Sequence, residues 1–244
     1  MPTLSVTIIT FNEERNIGAC LESVKWADEI IIVDSGSSDQ TIPICQQYTS
    51  NITITDWPGF GVQKNRAVDK ASGDWILSID ADERVPQPLQ AQILERINRP
   101  DSVGYEIPRR SYFCGKAIHH SGWWPDYTLR LFKRGAGKFS DRAVHERLMV
   151  EGKTEKLTTP LEHITYRDLQ TALEKSNHYS TLGAEILHKE QKKSSLTLAV
   201  LKGLYAFIRT YFIQAGFLDG KVNLPPIVGQ KTGENKTISC VVFM

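Results

Sequence analysis

The chain has 244 residues, 41% hydrophobic and 23% charged, with a formal net charge of +1. That length holds one large domain or a domain with an appendage, and the composition is that of an ordinary globular protein. The near-neutral balance leaves no global field to attract nucleic acid, so no such partner is expected. Cys20, Cys45, Cys114 and Cys240 are scattered, with no C-x-x-C spacing; they read as reduced, mostly buried thiols of a cytosolic protein. A strand pattern begins at once, so no signal peptide is expected.

Residues 5–10 (SVTIIT) predict a strand. Asn12 is expected to cap the helix that follows, with Glu13 and Glu14 favourable in its first turn. Ile17, Cys20, Leu21 and Val24 then share one helical face. Residues 29–33 (EIIIV) predict a second buried strand, running into the turn DSGSSD at 34–39. A helix over 41–48, a strand over 52–55 and a helix over 62–71 follow. Residues 75–79 (WILSI) are a short, nearly unbroken apolar run that suits a strand buried on both faces of a parallel sheet. This alternation predicts a right-handed, doubly wound α/β half.

Ligands of open α/β sheets lie beyond the carboxyl ends of the strands. Asp80, Asp82 and Glu83 fall just past the 75–79 strand. Carboxylates crowded there repel one another unless a cation intervenes, and Mg²⁺ or Mn²⁺ prefers such oxygens. A solvated acidic turn is the plainer reading. No glycine occupies the first strand–helix turn (FNEE), 59–61 lacks a third glycine, and no Walker loop occurs, which disfavours dinucleotide and P-loop sites. Glu14 and Asp34 stand instead at two successive strand ends, where carboxylates can accept from ribose hydroxyls or a base N–H. The alternatives are a helix-start acid for Glu14 and the opening of a Gly-Ser turn for Asp34.

Taken together, SVTIITFNEE, IIIVDSGSSDQT and GDWILSIDADE resemble the nucleotide-sugar half of a family 2 glycosyltransferase over residues 4–97. The resemblance implies a GT-A fold: an α/β, Rossmann-like donor half with a mixed central sheet, followed by C-terminal helices. It also implies that Asp34 reads uracil, that Glu14 meets the ribose, and that Asp80 and Asp82 serve the ribose–diphosphate–metal region. Lys64, Asn65 and Arg66 are expected near the donor, although a solvated helix face also explains the two cations.

In the second half, Pro86 and Pro88 open a helix running to Ile97, residues 98–101 form a turn, and 103–110, the region of Phe113 and 129–132 predict strands. Between them lies HHSGWWPD, 119–126. Adjacent Trp123 and Trp124 in a Gly/Pro-rich loop suit stacking on a sugar ring, and Asp126 suits its hydroxyls; burial of the tryptophans as a loop anchor is the alternative. Arg109, Arg110 and Arg130 are cations that could face phosphate. An inverting transfer needs a carboxylate to take the acceptor proton. By resemblance that base lies downstream of Asp-x-Asp, making Glu146 the candidate and Asp126 the reserve. His163 is a third metal ligand by the same resemblance, or a structural histidine.

Residues 167–191 predict one amphipathic helix, on which Lys175 and Tyr179 could cover the donor diphosphate. Residues 196–218 are strongly apolar but broken by Lys202, Arg209 and Gln214. Central cations penalise a membrane span, so an interfacial helix beside basic residues is expected, peripheral on the inner membrane. HSGWWPDYTLRLF, VHERL and AGFLDGK narrow the resemblance to bacterial lipopolysaccharide inner-core β-1,4-glucosyltransferases acting on heptose. That implies UDP-glucose as donor, lipid A–core as acceptor, a divalent metal and a cytoplasmic location. Another UDP-sugar or glycan acceptor, or a non-catalytic nucleotide-sugar or glycolipid binder, are the alternatives. The expected layout is a catalytic domain over 1–166, membrane-associated helices over 167–221 and a polar tail over 222–244. The tail departs from the family's apolar pattern, as a truncated or frame-shifted C-terminus would.

Overall fold

The computed structural model describes residues 1–140, 147–189, 191 and 195–223. Glu146, Cys240 and the tail from 224 onward lie outside the described residues, as do the side chains of Lys175 and Tyr179. The chain divides into two compact units. Unit 1 comprises Met1–Arg109 and Tyr127–His163, and unit 2 comprises Arg110–Asp126 with the chain from Ile164.

Unit 1 opens with the alternation read from the sequence: β1 (Leu4–Thr10), α1 (Ile17–Val24), β2 (Glu29–Asp34), α2 (Thr41–Cys45), β3 (Ile52–Ile54), α3 (Phe60–Asp69) and β4 (Trp75–Asp80). There follow β5 (Glu83–Arg84), α4 (Gln87–Asn98), β6 (Gly104–Phe113), β7 (Lys116–Ala117), β8 (Asp126–Lys133) and β9 (Gly137–Phe139). The remaining elements are β10 (Leu148–Val150), β11 (Thr154–Lys156), β12 (Leu161–Tyr166), α5 (Leu169–Lys189) and α6 (Leu196–Ile208).

The main sheet runs β3-β2-β1-β4-β8-β6-β12-β5. Its first four strands are parallel, with Ile8 beside Ile32 on one side and Ile79 on the other; β8 is antiparallel to β4. The result is the mixed α/β sheet of the GT-A fold. Alternate residues of β1, β2 and β4 (Val6, Ile8, Ile30, Ile32, Leu77, Ile79) join α1 and α4 in one buried cluster. Ile31, Val33 and Ile76 face the other way, onto Ala67 and Ala71. Burying each such side chain contributes ~1.5–3 kcal/mol, so both faces hold the strand ends that carry the polar residues.

Two local expectations are corrected in unit 1. Asn12 caps nothing: it sits at φ 53°, and α1 begins five residues later, after Asn16. Asn12 instead donates its backbone N–H to the Ser37 hydroxyl oxygen after the next strand and accepts the Ser38 N–H on its side-chain Oδ1, at 2.8 and 2.9 Å. Lys64 is not a solvated helix residue but is buried.

In unit 2, Asp168 caps α5 by accepting the Thr171 N–H at 2.7 Å, and Ser195 caps α6 by accepting that of Leu198 at 3.2 Å. The apolar run over 196–218 is not one helix. The α-form ends at Ile208, a π-turn covers Arg209–Ile213, and a 3-10 segment covers Gly216–Asn223. The break falls at Ala215, whose φ is 53°, a left-handed conformation no α-helix contains.

Candidate active site

The carboxyl ends of β1, β2 and β4 lie side by side in unit 1. At the first two, the loop 34–39 is folded around Asp34. Its carboxylate is fully buried. Oδ1 accepts the N–H groups of Gly36 and Ser37 at 2.8 and 2.7 Å, and Oδ2 accepts the hydroxyls of Thr10 and Ser37 at 2.6 Å each. Each oxygen has about two lone-pair sites, so both are committed within the protein. Direct acceptance of a uracil N3–H by Asp34 therefore requires that one of these bonds be given up. What the structure displays is the Gly-Ser turn role. Glu14 is exposed at the same end; its carboxylate accepts the Gln40 N–H at 3.1 Å, while its own N–H donates to Asp39 at 3.1 Å.

α3 flanks these ends. Gln63, fully buried, donates its amide to the hydroxyls of Ser35 and Thr55 at 2.9 Å each. Arg66 pairs with Asp56 at 2.8 Å. Asn65 exchanges two hydrogen bonds with the backbone of Phe139, at 2.9 and 2.8 Å, fixing β9 rather than facing a ligand. Lys64 reaches Asp80 at 2.9 Å and lies 5.4 Å from the Phe139 ring centre.

At the end of β4 the three acids separate in role. Glu83 is fully buried and accepts the Asp80 N–H at 2.9 Å and the Arg130 guanidinium at 2.6 Å, with Arg109 at 3.6 Å. Arg130, also buried, bridges from Glu83 to Asp80 at 2.5 Å. Arg109 and Arg130 are thus internal partners of the acid cluster. Burial opposes ionisation of Asp80, but the Arg130 and Lys64 charges outweigh it and hold its carboxyl well below the usual range. Burial likewise works against the Arg130 charge, and Asp80 and Glu83 overcome it and raise its pKa.

Asp82 places its Oδ2 3.4 Å from His163 Nε2. The two come together because β5 pairs antiparallel with β12, setting His163 opposite Glu83. Two neighbouring ligands of an ion bound at ~2.1 Å lie about 3 Å apart, so this carboxylate–imidazole pair fits one divalent cation. Asp80 is engaged by its two cations, and among the described residues no three or more acids, histidines or cysteines are arranged as a complete metal cage.

Trp123, Trp124 and Asp126 belong to unit 2. Both tryptophans are half-buried. The Trp123 ring lies 6.3 Å from that of Tyr166, and the Trp124 ring 6.4 Å from that of His119. Glu146 lies outside the described residues. Sequence reasoning passed over Glu83 as the hub of the ion cluster. Its signal was present in the same motif, since a Glu directly after Asp-Ala-Asp also begins β5. It also passed over Asp219 and His120 of unit 2, which meet across 99 positions and leave no local signal.

Comparison with known proteins agrees with the family and the fold. The glycosyl transferase family 2 profile matches residues 5–158. The lipopolysaccharide core biosynthesis glycosyltransferase LpsC of Rhizobium meliloti is 33% identical over 217 residues, covering 86% of this chain and 80% of LpsC. An uncharacterized glycosyltransferase of Rickettsia typhi is 28% identical over 233 residues, 90% of this chain and 80% of its own. Among solved structures, S. aureus TarS 1-349 in complex with UDP-GlcNAc superposes with a TM-score of 0.52 at 18% identity, covering 92% of this chain and 78% of TarS. The chain belongs to glycosyl transferase family 2.

Proposed function

We propose that this family 2 glycosyltransferase moves glucose from UDP-glucose to a heptose of the lipopolysaccharide inner core, with inversion at the sugar carbon. The observation that carries the reading is the end of β4, where Asp82 and His163 stand 3.4 Å apart beside an Asp80 already balanced by Lys64 and Arg130. LpsC, by its name a lipopolysaccharide core enzyme, supports the acceptor class. TarS, solved with UDP-GlcNAc, supports a UDP-sugar donor.

The nucleoside is assigned to the ends of β1 and β2, where Glu14 offers an exposed carboxylate to the ribose and Asp34 fixes the turn against which the base lies. Asp82 and His163, with Asp80, would hold Mg²⁺ or Mn²⁺. That ion would supply positive charge to the departing diphosphate. Lys64 and Arg130 keep Asp80 ionised and in place, and Arg66 adds a cation on α3. Trp123 and Trp124 are assigned to sugar stacking. Glu146, with Asp126 in reserve, takes the proton of the acceptor hydroxyl as its oxygen bonds to the sugar carbon and the bond to the diphosphate breaks. Removing a general base costs ~10²–10⁴ in rate. Glu146→Gln is therefore expected to lower kcat by that factor while donor affinity by calorimetry stays unchanged. If Asp126→Asn alone shows that signature, the two roles exchange.

The C-terminal helices are assigned to the cytoplasmic face of the inner membrane. No helix among the described residues is long and apolar enough to cross a bilayer. Yet Leu201, Leu204, Tyr205, Ile208, Phe212 and Ile213 are all exposed, an apolar face suited to the interface.

The deciding experiment is linkage analysis of products made by purified protein from a panel of UDP-sugars and core-truncated lipopolysaccharides. Glucose joined to heptose is the expected result. Transfer of another sugar, or to another residue, would replace the donor or acceptor assignment. Tight UDP-sugar binding with no transfer would favour a binding protein.

A further inference from the structure

We propose that His120, oriented by the carboxylate of Asp219, is a sugar-acceptor binding residue whose Nε2 accepts a hydrogen bond from an acceptor hydroxyl. This rests on the glycosyltransfer reading above and assigns its acceptor side a residue pair that the reading did not use.

Asp219 is 5% exposed. Its carboxylate accepts the backbone N–H of His120 at 2.9 Å and that of His119 at 3.3 Å, and meets His120 Nδ1 at 2.8 Å. The Lys116 ammonium donates to the Asp219 carbonyl. Burial works against the Asp219 charge, but the His120 ring and the two N–H groups outweigh it, so the carboxyl titrates below its usual range. A carboxylate facing one ring nitrogen fixes the tautomer and the ring plane and leaves the other nitrogen as an acceptor. The His120 side chain is 35% exposed. Among the described residues nothing engages Nε2.

The surroundings are built for presentation rather than for closure. The Trp123 N–H donates to the His120 carbonyl at 3.0 Å, so one tight turn carries both the oriented imidazole and the first tryptophan. A polar group beside an aromatic face is the combination that grips a sugar ring edge-on and face-on. The segment beneath is fitted flush. The Ser121 N–H donates to the Gln214 carbonyl at 3.0 Å, and a Cβ on Gly216 would lie 2.6 Å from Ser121 Oγ and 2.7 Å from the Thr210 carbonyl. Desolvating a carboxylate is costly, and anchoring a loop does not require one. Here the carboxylate also aims the imidazole.

The test uses purified full-length protein titrated with a delipidated, heptose-bearing core oligosaccharide, followed by tryptophan fluorescence, together with steady-state turnover of UDP-glucose. His120→Asn keeps a donor near the Nδ1 position but deletes Nε2. His120→Gln places an amide near the Nε2 position without the Asp219 bond. The expected result is that His120→Asn raises Kd and KM for the acceptor about tenfold, as loss of one hydrogen bond to a bound hydroxyl does, with the donor KM within about twofold. His120→Gln should recover most of that loss. Unchanged acceptor binding in His120→Asn, or an equal rise in donor KM, overturns the proposal. If the wild type binds the oligosaccharide but transfers nothing, the function reading falls and the binding series still decides His120. If it does not bind at all, the His120 assignment falls regardless of turnover.

Discussion

Unit 1 and unit 2 spend their folding energy in opposite ways. Unit 1 encloses Lys64, Glu83, Arg109 and Arg130 within its core boundary, where taking charges out of water costs several kcal/mol each unless partners return it. Unit 2 leaves large apolar side chains of α6 and the π-turn in water, a face of the kind that marks an interaction surface. The difference teaches that the donor half has its electrostatics settled by the fold before any ligand arrives. Unit 2 keeps its apolar α6 face exposed among the described residues.

The sharpest way to break this contrast is at Asp82, the acid of the motif that meets His163. Asp82→Ala is expected to leave the melting temperature nearly unchanged and to lower turnover by ~10³-fold, the several kcal/mol that charge stabilisation of a leaving diphosphate supplies. Near-native turnover by a folded variant in Mn²⁺ would remove Asp82 from the metal assignment.

The next largest effect falls on stability. Arg130→Met keeps bulk but strips Asp80 and Glu83 of their shared partner, an expected loss of about 3–5 kcal/mol. The same variant carries a pH signature. The folded Asp80 carboxyl is held below its ordinary value of 3.8. Its contribution is therefore fully present above that value and drains away as pH falls below it. Calorimetric melting temperatures from pH 3 to 8 should drop steeply on the acid side in the wild type and less steeply in Arg130→Met. Parallel acid limbs would mean that the cluster does not set the acid limit.

The parts of this picture legible in the sequence share one property: their pattern is local. β1, β2 and β4 show as apolar runs with turn residues after them, and the acids at their ends fall where ligands of such sheets lie. β5 is two residues long and β9–β11 three each, too short for any periodicity to register. Yet it is β5 that sets His163 opposite Glu83 and beside Asp82. Lys64 reads as a surface lysine because its partner arrives from another strand. Asn12 reads as a cap because the loop 34–39 that claims it is a tertiary neighbour. The run over 196–218 reads as one helix because nothing in its apolar pattern marks the left-handed turn at Ala215.

A smaller effect separates two roles for Asp34. Asp34→Ala deletes the acceptor of four internal bonds and is expected to cost about 3 kcal/mol by chemical denaturation, since buried donors are left unpaired. Asp34→Asn should cost less. If Asp34 acts through the turn alone, the Asn variant keeps its preference for UDP- over CDP-sugars. A relaxed preference at unchanged stability would return Asp34 to direct contact with the base.

The smallest effect on stability is expected in unit 2. Leu201 and Leu204 are exposed on α6, by 57% and 54%. Replacing both with Gln removes little internal packing, so unfolding free energy should change within ~0.5 kcal/mol. Their apolar surface is nevertheless what the proposed membrane contact would bury. At about 25 cal/mol per Å², two leucines half-sunk in an interface contribute ~1–2 kcal/mol, roughly a tenfold change in partition. Sedimentation with vesicles containing anionic lipid should therefore show the double variant binding roughly tenfold more weakly, while turnover on a delipidated acceptor stays at the wild-type level. If vesicle binding is unchanged but a concentration-dependent dimer of the wild type is lost, the face meets a second copy of the chain, not lipid. If the variant unfolds instead, the face is packed in solution, and the contrast between a settled donor half and an open C-terminal half does not hold.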